Sequence, residues 1–161
     1  MFQVTGAYDK YKSSMEKIGK ALNTYSDNTL LDKLYFFELS IFSFLCGNND
    51  MHLKNFSMIK TAYGWSLAPA YDLLNATILN PEDKEEMALT IEGKKKRLKL
   101  EHFVQFGKAL GLSPKQVSGV LKRFRVMNKT ASSFIDRSFL SKEMKSKYKL
   151  VMSERYERVY G

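Results

Sequence analysis

The sequence predicts a mainly α protein, one domain spanning residues 1–161, built as a helical bundle with a small central β-hairpin. Three observations predict it. Apolar residues recur at helical spacing near the start of the chain and through its last third. One helix-length stretch, "LYFFELSIFSFLC", is apolar on nearly every side and reads as the most buried helix. Two short alternating segments, "NFSMIK" and "GWSLAP", flank "TAYG", a pattern suited to a tight hairpin. With 161 residues, 44% apolar and 13% aromatic, the chain is long enough and apolar enough to bury one core.

The elements follow in order. "YKSSMEKIGKALN" puts Met15, Ile18 and Leu22 on one helical face. "SDNTLLDKLYFFELSIFSFLC" begins the central helix, with Ser26, Asp27 or Asn28 as N-cap, and Gly47 stops it. After the hairpin, "PAYDLLNATIL" reads as a loop leading into a short turn or helix. "PEDKEEMALTIEGKKKR" passes from acidic to strand-like to basic, and is expected to be exposed and partly mobile. "KLEHFVQFGKALG" places Phe103, Phe106 and Leu110 together before Gly111. "SPKQVSGVLKRFRVMN" opens on Ser113 as N-cap with Pro114 in the first helical position, a strong start signal. "SKEMKSKYKLVMSERYERVY" makes the final helix. No repeat, low-complexity run or linker interrupts the chain.

Charge and cysteine usage bound the function. A formal net charge of +9 favours anionic partners: nucleic acid, nucleotide or an acidic protein. Its densest cluster is "KKKRLK", Lys94 to Lys99, expected to be exposed and either a solvated tip or an anion-binding patch. The single cysteine, Cys46, excludes an internal disulfide and fits a reducing compartment. No run reaches about 18 apolar residues, so no membrane span is expected. "MFQVTGAYDKYKSS" lacks the apolar run of a signal peptide. A cytoplasmic protein is the expectation.

The chemistry concentrates in "GNNDMHLKNFS", directly after the most apolar stretch. Asp50 and Asn55 stand five residues apart, the D-x-x-x-x-N spacing of a kinase catalytic loop. Phosphoryl transfer needs a carboxylate beside the attacking oxygen and oxygen ligands for Mg²⁺ on the phosphate side. One tight loop can present both, and a second carboxylate then completes the metal site. Asp72, in "PAYDLL", follows Asn55 by one hairpin. The spacing alone is weak. The conjunction of buried helix, D-x-H-x-K-N loop, hairpin and loop carboxylate is far more specific.

"GNNDMHLKNFS" followed by "LAPAYDLL" resembles the C-terminal region of the HipA family, bacterial serine/threonine kinases that act as toxins in toxin–antitoxin pairs. The match runs from Gly47 to Ser57 and from Leu67 to Asp72, and the flanking helices are compatible. The resemblance implies a protein-kinase-like C-terminal lobe. It implies Asp50 as catalytic base, Asn55 and Asp72 as Mg²⁺ ligands on the ATP side, and Lys54 facing the transferring phosphate. It places His52 in the nucleotide-binding loop in a structural role, bonded to a backbone carbonyl or to Asp72. Asn48 and Ser57 would shape the loop. "YDLL" stands where ordinary kinases have D-F-G, and no H-R precedes Asp50, as in the HipA family.

A further departure concerns the nucleotide. The nine glycines contain no G-x-G pair, and no run of strands would build a lobe over the ATP phosphates. The chain is expected to be the C-terminal lobe only. It would need an N-terminal lobe in cis or trans, and the surface left for that lobe should be unusually apolar. Family resemblance further implies a protein substrate such as an aminoacyl-tRNA synthetase, a helix-turn-helix antitoxin and, through it, operator DNA. The alternative is a non-catalytic basic module that binds nucleic acid or a partner protein.

Overall fold

Five helices form in the computed structural model, which describes all 161 residues: α1 (Met15–Tyr25), α2 (Thr29–Cys46), α3 (Leu100–Ala109), α4 (Pro114–Arg137) and α5 (Lys142–Tyr160). Two strands, β1 (Met58–Thr61) and β2 (Gly64–Leu67), lie between α2 and α3. The mainly α expectation with one hairpin holds, and each start signal can be traced. Ser14 Oγ accepts the Lys17 N–H at the head of α1. Ser113 and Gln116 form a reciprocal capping box at the head of α4, with Pro114 in the first helical position. Asn28 occupies the N-cap of α2, but its side chain makes no capping bond there; it donates to Ser66 Oγ on β2 instead, at 3.0 Å. The helix opened by Ser113 runs on to Arg137, well past Asn128.

α2 is the spine of the core. Phe36, Phe37 and Phe44 are fully buried, as are Phe103 and Phe106 on α3. Phe36 meets Phe106 at 5.9 Å between ring centroids and Phe44 meets Phe103 at 5.0 Å. Burying each such ring stabilises the fold by about 1.5–3 kcal/mol. α4 and α5 are tied through two phenols: Tyr156 donates to the Phe124 carbonyl at 2.9 Å and Tyr160 to the Leu121 carbonyl at 3.0 Å.

The hairpin pairs Met58 with Leu67 and Thr61 with Gly64. It is pinned to the α1–α2 junction by two carboxylates. Asp27 accepts the Trp65 N–H and Asp32 the Leu67 N–H, both at 2.6 Å. The start of α2 and the hairpin are therefore joined, and both expose large apolar side chains: Leu30, Leu31, Ile59, Tyr63 and Trp65.

The segment after the hairpin departs from expectation. "PEDKEEMALTIEGKKKR" is not an exposed excursion. Met87, Ala88, Leu89 and Ile91 are buried, as is Leu98 just after the segment. The Met15 N–H donates to the Thr90 carbonyl at 2.9 Å, fastening the segment to α1. Glu86, also buried, accepts from the Leu98 N–H at 3.0 Å and from Arg158, and forms an ion pair with Arg155 at 3.2 Å. Surrounding charges made the segment look solvated; its four apolar side chains point inward. No helix is long and apolar enough to cross a membrane.

Candidate active site on the loop after α2

Gly47 ends α2 in the left-handed conformation, φ 75°, and its N–H returns to the Phe44 carbonyl. A Cβ at this position would come within 2.8 Å of Asn75 Oδ1 and 2.9 Å of Val151 Cγ1. The turn therefore releases the chain from the core at one residue. Met51 and Leu53, both fully buried, then anchor the loop from below. Leu53–Asn55 forms a single 3-10 turn, which compresses D-x-x-x-x-N so that Asp50 and Asn55 sit on one short loop.

Asn55 and Asp72 come together. Asn55 Nδ2 donates to Asp72 Oδ2 across the base of the hairpin. Asn55 is buried, and its Oδ1 has no hydrogen-bond partner. Asp72 is exposed and adopts φ 57°, a left-handed conformation uncommon for a residue with a Cβ. Asn48 links the two halves of the loop: its Nδ2 donates to the Asp72 carbonyl at 3.2 Å, while its Oδ1 accepts the Asp50 N–H at 3.4 Å. Tyr71 completes the frame, donating to the Lys54 carbonyl at 2.6 Å with Ser57 Oγ also 2.6 Å from its hydroxyl.

Asp50 is half-buried and lines a groove of about 500 Å³ beside the loop, with Tyr11, Asn49, Asp83, Glu85 and Lys95 among the lining residues. Asn55 and Asp72 do not line that groove. Tyr11 donates to Asp50 Oδ1 at 3.0 Å. Lys95 belongs to the "KKKRLK" run, so that run is not wholly remote from the site; Lys95 pairs with Glu85 at 3.0 Å.

His52 does not bond a carbonyl or Asp72. It is buried, its Nε2 lies 2.8 Å from Lys10 Nζ, and its Nδ1 is unpartnered. An ammonium has only donors, so Nε2 is the acceptor. The Leu53 N–H donates to the Lys10 carbonyl at 3.2 Å. Residues 10 and 11 thus form a strap over the loop, reaching Asp50, His52 and Leu53. Lys54 is exposed, with its ammonium 5.1 Å from the Phe2 ring centroid.

The chain contains no group of three or more His, Cys, Asp or Glu side chains placed to hold a metal. The donors that fit a divalent ion are the orphaned Asn55 oxygen and the Asp72 carboxylate beside it. That set suits Mg²⁺, which keeps several waters and takes one or two protein oxygens plus substrate phosphates.

A helical lobe carrying an Asp/Asn loop, a hairpin and then an aspartate is the architecture of a kinase-like C-terminal lobe. The profile of the HipA-like C-terminal domain matches residues 1–132, and the chain belongs to that family. The fold is shared with a chain of the Shewanella oneidensis MR-1 toxin–antitoxin complex of HipA, HipB and operator DNA. The TM-score is 0.75 at 22% identity, over 91% of this chain and 35% of that one. A Haemophilus influenzae protein named "Putative kinase" is 30% identical over 125 residues, 67% of this chain and 36% of its own. A Sinorhizobium fredii protein named "Putative kinase Y4dM" is 37% identical over 101 residues, 58% of this chain and 23% of its own. The chain thus spans between 23% and 36% of the length of these two relatives.

Proposed function

We propose that this chain is the catalytic C-terminal lobe of a HipA-like serine/threonine kinase, transferring the γ-phosphoryl group of ATP to a protein hydroxyl. The observation that carries the reading is the Asn55–Asp72 pair, an unsatisfied buried amide oxygen beside an exposed carboxylate in an uncommon backbone conformation. When bound there, Mg²⁺ would neutralise charge on the β- and γ-phosphates.

Asp50 acts as the base. Tyr11 holds Oδ1, which leaves Oδ2 for the acceptor. As the acceptor oxygen bonds to the γ-phosphorus, the bond to the β–γ bridging oxygen breaks, the hydroxyl proton passes to Asp50 and ADP leaves. Lys54 offsets negative charge once its exposed side chain leaves the Phe2 ring. His52 acts on the nucleotide only through the loop that it and Lys10 hold in place.

Catalysis of this kind is alignment and electrostatics, so a lower wall alone holds ATP loosely. Activity therefore needs a nucleotide-covering lobe in cis or trans. The exposed apolar side chains at the head of α2 and on the hairpin, Leu30, Leu31, Ile59 and Trp65, suit its docking. An aminoacyl-tRNA synthetase substrate and a helix-turn-helix antitoxin acting on operator DNA are the partners that family membership suggests, and a cytoplasmic setting goes with them. The test supplies the second lobe as a separate polypeptide and follows phosphate transfer from ATP to protein. Activity that disappears on Asp50→Asn with folding unchanged supports the reading; no activity from a correctly assembled complex overturns it.

A further inference from the structure

The run "KKKRLK" is not set apart by its amount of charge. Residues 113–161 carry 12 basic and 4 acidic side chains, so most of the excess positive charge of the chain belongs to α4 and α5. What sets the run apart is its place in the fold. It helps to line a hollow of about 710 Å³ with no apolar side chain in its wall. Five cations, Lys84, Lys94, Lys95, Lys96 and Arg97, share that wall with one carboxylate, Glu85. Lys95 pairs with Glu85, whereas Lys84, Lys96 and Arg97 have no carboxylate within ion-pair distance.

The backbone of the hollow is fastened on both sides. The Glu86 and Met87 N–H groups donate to the Lys95 carbonyl at 2.7 and 3.2 Å, and Ile91 and Lys94 exchange N–H···O bonds of 2.9 Å. Arg97 adopts φ 56°, a left-handed conformation uncommon for a residue with a Cβ, just before the buried Leu98. The same backbone reaches the candidate active site. Asn49, the neighbour of Asp50, donates through Nδ2 to the Glu85 carbonyl at 3.2 Å and to Asp83 Oδ2 at 3.1 Å. Glu85 and Lys95 line both the hollow and the groove that holds Asp50. The two depressions therefore adjoin, with the Asp50 and Asp83 carboxylates at one end and the unpaired cations at the other.

We propose that the hollow selects the acceptor protein: it binds an acidic residue a short way along the chain from the hydroxyl that enters the Asp50 groove. This rests on reading Asp50 as the base. Asn55 and Asp72, on the nucleotide side, line neither depression, so the basic run lies on the acceptor side of Asp50. Charge selects the occupant. A nucleic acid strand or a polyphosphate is anionic along its whole length and would meet Asp50 and Asp83 at one end. A polypeptide can offer a neutral hydroxyl to the carboxylate end and a carboxylate to the cationic end, a few residues further on at roughly 3.3 Å each. The Arg97 guanidinium can take such a carboxylate through two parallel hydrogen bonds.

The experiment measures binding of the full chain to two fluorescein-labelled peptides by anisotropy, at about 50 mM salt. Both hold one serine between alanines; beyond these, one carries glutamates on each side and the other glutamines. The glutamate peptide is expected to bind about tenfold more tightly, a preference that shrinks as salt rises. Combining Lys84→Gln, Lys96→Gln and Arg97→Gln should reduce the preference to within about twofold. Lys122→Gln, Arg125→Gln and Lys129→Gln together remove the same charge from α4 and should leave most of it. Circular dichroism checks folding, and Lys84→Gln with Lys96→Gln serves if Arg97→Gln disturbs the loop. Benzophenone in place of the serine should crosslink within the groove, at Tyr11, Ala76 or Leu79. Equal affinity for the two peptides, equal losses in the two triple variants, or crosslinks confined to other surfaces would overturn the proposal. So would tripolyphosphate displacing the glutamate peptide at a lower concentration than the unlabelled peptide does. Preference and crosslinks without phosphate transfer in an assembled two-lobe complex would support the acidic-residue site and count against the kinase reading alone.

Discussion

Asn55 has its amide nitrogen engaged and its oxygen free, and that asymmetry is testable without any activity. Mn²⁺ binding to the full chain, followed by electron paramagnetic resonance, should weaken at least about tenfold on Asp72→Ala or Asn55→Ala, since each removes an oxygen ligand from a small set. Asp50→Asn should leave it nearly unchanged. Tyr11→Phe removes one half-exposed hydrogen bond and should cost about 0.5–1.5 kcal/mol in stability. On the proposed reading of Asp50 as base, it should lower kcat of a reconstituted kinase more than it raises KM, because Tyr11 bonds Asp50 Oδ1. The closeness of Asn55 and Asp72 was legible in the sequence because loop and hairpin spacing encode it. Tyr11 and Lys10 were not. Tyr11 meets Asp50 across 39 residues and Lys10 meets His52 across 42, and no local pattern marks such pairs. The same blindness assigned His52 the wrong partner.

At the scale of elements, helices with caps and periodic faces were readable, and so was the hairpin with its two-residue turn. The segment from Pro81 to Lys99 was not: Met87, Leu89 and Ile91 alternate as in a strand, but the segment forms only isolated bridges, and the charges on either side mask the buried set. Its attachment to α5 runs through Glu86. Glu86→Ala would leave the buried Arg155 guanidinium without its main counter-charge, on a side chain that burial already drives toward lower pKa. Chemical denaturation should report a loss of about 3–5 kcal/mol, the cost of breaking a buried pair. Leu89→Ala should cost about 2–5 kcal/mol by opening a cavity. By contrast, reversing Lys94 and Lys96 at the exposed rim should stay within about 0.5 kcal/mol. A segment that really were solvated would tolerate all of these changes equally.

For the whole molecule, the seam around α5 sets an alkaline limit. Burial pushes the Tyr156 phenol from 10.0 up to about 12 and the Cys46 thiol from 9.0 up to about 11, and raises Tyr148 and Tyr160 in the same direction. Each group holds its proton more tightly when folded than when unfolded. Its contribution to stability is therefore complete below the unfolded pKa and is lost as pH rises through the folded one. Melting temperature should be insensitive to these groups below about pH 9 and fall between about pH 9 and 12. Tyrosinate absorbance should appear together with the loss of helical circular dichroism. If the phenols ionise near pH 10 with the helices intact, the seam is looser than described. The sequence disclosed the net charge of the molecule but not its segregation onto α4 and α5, because the helix boundaries had first to be known.

The left-handed backbone at Asp72 separates what is good for the fold from what is good for its use. A protein optimised for durability alone would carry glycine there. Asp72→Gly relieves about 1 kcal/mol of backbone cost, comparable with the lost bond to Asn55, and should melt no earlier than the unaltered chain. Asp72→Ala keeps a Cβ in the awkward conformation, forfeits the same bond and should melt earlier than both. Inheritance of an aspartate where glycine is the more comfortable tenant would then be the mark of selection acting on the carboxylate. A lineage released from that selection would be expected to drift to glycine at this position while keeping its fold.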